Sequence, residues 1–91
     1  MSDLSELREK IDQIDDQIID LISRRFKLTG EIGQIKVDKR LPALDERREE
    51  QIISRVVKKS KDLAVNPELI NSIFKSILSE TVSNHQKLSG T

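Results

Sequence analysis

The sequence has no cysteine, tryptophan or tyrosine, and among its 91 residues only Phe26 and Phe74 are aromatic. Without thiols there is no disulfide framework, no thiolate zinc site and no cysteine nucleophile. The single histidine, His85, does not make a metal site by itself. No apolar run approaches the roughly 20 residues needed to cross a bilayer, and the acidic, polar N-terminus does not read as a signal peptide. Sixteen basic residues balance sixteen acidic ones, which removes any global pull toward nucleic acid or an anionic membrane. Glycine-rich phosphate loops, nucleophile triads and metal-ligand clusters are missing too. These absences predict one cytoplasmic domain that uses no metal or cofactor and binds neither nucleic acid nor membrane.

What is present is helical periodicity. From Leu4 to about Lys39 there is no proline, and Leu4, Leu7, Ile11, Ile14, Ile18, Leu21, Leu28, Ile32 and Ile35 recur at steps of three and four. Ile19, Ile22 and Phe26 widen the stripe in its middle. One position of it, between Leu21 and Leu28, holds Arg25. About 36 residues at 1.5 Å each give a helix of roughly 54 Å. A compact chain of this size has a radius of gyration near ~12 Å and spans only about 30 Å. Alone, the helix would project with its apolar stripe wet, and a two-fold homodimer with interwoven helices removes that cost. An ordinary coiled coil would show the same run of threes and fours.

Two shorter helices follow. Ser2-Asp3 or Ser5 can cap the first helix, and Pro42 ends it near Lys39-Arg40. Asp45 is an N-cap candidate for a second helix to about Lys59, with Ile52, Ile53, Val56 and Val57 on its apolar face. Ser60 to Val65 reads as a connection. Asn66-Pro67 then starts a third helix, running from 67 to about 87, with Leu69, Ile70, Ile73, Phe74, Ile77, Leu78 and Val82 inward. The expected fold is all-α, with one long, one short and one medium helix and no strands.

Polar residues interrupt the inward faces of all three helices. Arg25 and Lys36 lie eleven residues apart and share a face within about 20°. Asp45, Arg48 and Glu49 form an i, i+3, i+4 group, with Arg48 in line with Ile52 and Val56. Thr81 and His85 continue the row of Phe74, Ile77 and Leu78. Each has an ordinary reading: a register-fixing ion pair for Arg25, a solvated helix-end charge for Lys36, and local pairs for the acidic and basic group. Thr81 would bond the preceding turn, and His85, near a frayed end, would sit at the surface. Together they point elsewhere, because inward cations without partners are costly and call for an anionic ligand.

Leu7-Arg8-Glu9-Lys10-Ile11-Asp12, Arg24-Arg25, Gly33-Gln34-Ile35-Lys36, the proline link and Asp45-Glu46-Arg47-Arg48-Glu49 resemble the all-helical chorismate mutase family. Phe74 followed seven residues later by Thr81 continues the likeness, which covers nearly the whole chain from Leu4 to Gln86. The resemblance implies an intertwined dimer of three-helix chains with two active sites, each borrowing an arginine, here Arg8, from the partner. It further implies that Arg25 binds a carboxylate and that Lys36 bonds a carboxylate and the ether oxygen. Asp45, Arg48 and Glu49 would surround the ring hydroxyl, with Glu49 its direct acceptor. Thr81 stands where many members have serine. His85 stands where many have a glutamine that donates to the ether oxygen, and Gln86 is one residue too late to replace it.

The activity so implied is conversion of chorismate to prephenate, an intramolecular Claisen rearrangement needing no nucleophile, metal or cofactor. It needs a dicarboxylate held in a compact conformer, and donors aimed where negative charge develops. An isochorismate pyruvate-lyase on the same fold is the nearest rival, and a non-catalytic helical dimerisation module a rival of another class. If His85 replaces the glutamine, its N–H is the second donor beside Lys36.

Overall fold

The computed structural model describes residues 3–90 as three helices, α1 (Asp3–Asp38), α2 (Glu46–Asp62) and α3 (Pro67–Leu88), with no strand among the described residues. α1 is one uninterrupted helix of 36 residues. Its bounds lie within a residue of those expected, but Asp3 and Ser5 are inside it and cap nothing, and Ser2 is outside the described residues. Lys39 and Arg40 form the closing turn, with Arg40 in the left-handed region at φ 56°.

The starts of α2 and α3 follow their local chemistry. Asp45 caps α2 from extended backbone, its carboxylate accepting the Arg48 N–H at 3.1 Å. Asn66 caps α3, accepting the Glu68 N–H at 3.0 Å, with Pro67 at the first helical position where no donor is lost. The end of α2 differs from the expected one. Ser60 is not part of a connection but a buried helical residue, its hydroxyl donating to the Val57 carbonyl. The helix continues to Asp62, and the break comes at Ala64, which takes a left-handed φ of 57°.

α3 packs closely against both other helices, whereas α1 and α2 face one another only through side chains. The core is correspondingly small: Ile52, Val56 and Leu78, flanked by Ile53, Ile70 and Phe74. The α1 stripe contributes nothing fully buried; Gly33 is the helix's single buried residue. Leu7, Ile11, Ile14, Leu21 and Leu28 are each more than half exposed. The single chain is elongated, 59 × 23 × 16 Å with a radius of gyration of 16.7 Å, well beyond the ~12 Å of a compact chain of this length. No described helix is long and apolar enough to cross a membrane.

Candidate active site

Because α3 holds α1 and α2 apart, a cavity of about 110 Å³ opens where all three helices face one another. From α1, one face at spacings of four, three and four supplies Arg25, Thr29, Ile32 and Lys36. The N-terminal turns of α2 supply Arg48, Glu49 and Ile52, with the capping Asp45 beside them, and α3 supplies Leu78, Thr81 and His85. Seven of the eight residues singled out in the sequence thus border one space. The eighth, Arg8, is exposed on the far half of α1, seventeen residues or roughly 25 Å from Arg25 along the axis. Thr29, Ile32, Ile52 and Leu78 are additional. Thr29 and Ile32 were legible as the steps linking Arg25 to Lys36.

The charged lining is net positive, Arg25, Lys36 and Arg48 against Asp45 and Glu49. Arg25 is partly buried, and its Nη1 is buried with no hydrogen-bond partner among the described residues. Burial, then the nearby guanidiniums of Arg48 and Arg55, hold its pKa below the usual arginine value. Lys36 is half-buried rather than free in solvent. Its Nζ donates to the Ala43 carbonyl at 2.9 Å, which pins the ammonium at the cavity and leaves two of its three protons for a ligand. The Thr81 hydroxyl donates to the Ile77 carbonyl at 3.0 Å, the bond expected of it, and keeps its lone pairs.

His85 is not at the surface. It is 4% exposed, with Nε2 2.8 Å from the Thr29 carbonyl oxygen and Nδ1 buried without a partner. The row of Phe74, Ile77 and Leu78 put it on the inward face and its place near the helix end put it at the surface; the first holds, and what lets it so deep was not foreseen. A Cβ at Gly33 would lie 2.6 Å from the His85 ring, so only glycine there allows α3 to close on α1.

A larger groove of about 810 Å³ runs between α2 and α3. Its charged lining is Glu46, Glu49 and Glu50 against Lys75 alone, the wrong sign for a dicarboxylate. The smaller cavity, with Arg25, Lys36 and Arg48, has the right one.

The sequence profile of the chorismate mutase type II family matches residues 7–86. The chain belongs to that family. It is 35% identical over 75 residues to a chorismate mutase from Methanocaldococcus jannaschii, covering 82% of this chain and 76% of that one. A bifunctional chorismate mutase/prephenate dehydratase from Aquifex aeolicus is 35% identical over 91 residues, covering 97% of this chain and 25% of the relative. A T-protein from Enterobacter agglomerans is 29% identical over 84 residues, 92% of this chain and 22% of its own length. The chain therefore spans about a quarter or less of the length of these last two relatives.

Proposed function

We propose that the chain is a chorismate mutase that converts chorismate to prephenate in a homodimer, with the cavity between the three helices as its active site. The observation that carries this is the partly buried Arg25, its Nη1 buried without a partner among the described residues, beside Lys36 and Arg48 in a chain of the chorismate mutase type II family. Arg25 holds one substrate carboxylate and Arg8 of a second chain the other. Glu49 accepts the ring hydroxyl, with Asp45 and Arg48 ordering that end. As the ether C–O bond breaks and the new C–C bond forms, Lys36 and His85 donate to the oxygen that gains negative charge, while Thr81, its proton given to the Ile77 carbonyl, lines the site against the substrate. Binding fixes the reactive conformer and the donors stabilise the transition state, so no group is transferred to the protein.

Three features support the dimer. The apolar stripe of α1 is exposed along its length, at a cost of about 25 cal/mol for each Å² left wet. The cavity of about 110 Å³ is smaller than the roughly 300 Å³ at which ligand sites begin, so a further wall is needed. The charges of α1 are also polarised. Residues 3–20 carry seven acids against Arg8 and Lys10, whereas residues 21–38 carry Arg24, Arg25, Lys27 and Lys36 against Glu31 and Asp38. Antiparallel pairing sets each acidic half on a basic one and brings Arg8 toward the partner's Arg25. The biosynthetic chemistry so proposed fits a cytoplasmic enzyme.

The deciding measurement is prephenate formation from chorismate by the purified protein, followed by loss of the substrate's diene absorbance. Turnover of isochorismate to pyruvate in place of this would move the assignment to the lyase. Turnover of neither, with the dimer intact, would leave a dimerisation module.

A further inference from the structure

The imidazole of His85 has one nitrogen already committed. Nε2 lies 2.8 Å from the Thr29 carbonyl oxygen, and a carbonyl only accepts, so Nε2 must carry a proton. A neutral imidazole has a single N–H. With that proton on Nε2, the other nitrogen, Nδ1, presents a lone pair. Nδ1 is buried and has no hydrogen-bond partner among the described residues, although the ring borders the cavity. The arrangement is locked by packing: the ring edge carrying Cδ2 and Nε2 fills the space where Gly33 has no side chain, so the ring cannot turn over without losing its bond to α1.

A glutamine carboxamide donates at any pH, but an imidazole held this way does not. Resting on the chorismate mutase reading, we propose that His85 serves the ether oxygen only as the imidazolium, donating Nε2–H to Thr29 and Nδ1–H to the substrate. The proton stays on Nδ1 throughout, and the hydrogen bond strengthens as the C–O bond breaks, so the reaction needs no net proton. The charged groups lining the same cavity are Arg25 and Lys36 from α1 and Asp45, Arg48 and Glu49 from α2, while His85's own helix adds only the uncharged Thr81. Before a ligand binds, the cavity therefore carries three cations against two carboxylates. A bound dicarboxylate reverses that balance and gives an imidazolium an anion to face.

The test is the pH dependence of kcat for the wild type and for His85→Gln, read beside the ¹⁵N signals of the imidazole. The wild-type kcat should fall about tenfold per pH unit above the titration of His85 in the substrate complex. The fall should end at a floor about 10²–10³-fold lower, the usual loss of one oxyanion donor. His85→Gln should be active with no such limb, and the neutral wild-type ring should show its proton on Nε2. A wild-type profile as flat as that of an active His85→Gln overturns the proposal alone, as does a neutral ring protonated on Nδ1. If neither protein makes prephenate at any pH, the chorismate mutase reading falls first and this proposal with it.

Discussion

Arg25 interrupts an apolar stripe, and in the folded chain its Nη1 is buried without a partner, so the residue costs the empty protein more than it returns. On the function proposed above, its value lies in the ligand. Arg25→Ala should leave the unliganded chain no less stable, since the guanidinium it removes is desolvated and faces Arg48 and Arg55. The same change should lower kcat/KM by about 10²–10⁴-fold, the equivalent of two charge-assisted hydrogen bonds at about 1.5–3 kcal/mol each. Prephenate, itself a dicarboxylate, should raise the wild-type melting temperature; at a hundred times its Kd the stabilisation is about 2.7 kcal/mol, and Arg25→Ala should lose it. A wild type that prephenate does not stabilise would refute the anion site. Arg25 was legible because a cation breaks a regular apolar pattern. The inward side of His85 was legible from the row it continues, but not the depth of its burial, which depends on how closely two helices approach and which no local pattern records.

The approach of α3 to α1 turns on one position. Gly30 and Gly33 look equivalent in the sequence, both breaking an otherwise continuous helix. In the structure nothing lies within 4 Å of a Cβ built at Gly30, whereas at Gly33 it meets the His85 ring at 2.6 Å and Leu88 at 2.9 Å. Leu88 can yield by rotating its end, but the ring is tied to Thr29. Gly30→Ala should therefore stabilise the protein by up to about 1 kcal/mol through helix propensity. Gly33→Ala should destabilise it, overpacking of about 1–3 kcal/mol outweighing the same propensity gain. Chemical denaturation of the two variants measures both, and equal effects would mean that α3 does not close on α1 as described. Helix starts were legible because Asp45 and Asn66-Pro67 are local signals. The end of α2 was misplaced because it is set by Ala64, which takes a left-handed φ with no glycine to announce it.

At the scale of the molecule, the length of α1 was readable from its periodicity, and an extent of 59 Å follows from it. The exposed stripe of α1 yields the most demanding prediction. Sedimentation should give about twice the 10.4 kDa chain mass, and a well-folded monomer at micromolar concentration would sink the interwoven dimer. If each site takes Arg25 from one chain and Arg8 from the other, Arg8→Ala and Arg25→Ala homodimers should both be crippled. A mixed dimer is different. The site built on the intact Arg25 borrows the intact Arg8 of its neighbour, and both lesions fall in the other site. Equal mixing with free exchange makes half the dimers mixed, each with one working site, so about a quarter of wild-type activity should return. Were both arginines to act within one chain, every site in the mixture would lack one of them. No recovery, with exchange verified by mass spectrometry of tagged chains, would place Arg8 outside the shared site.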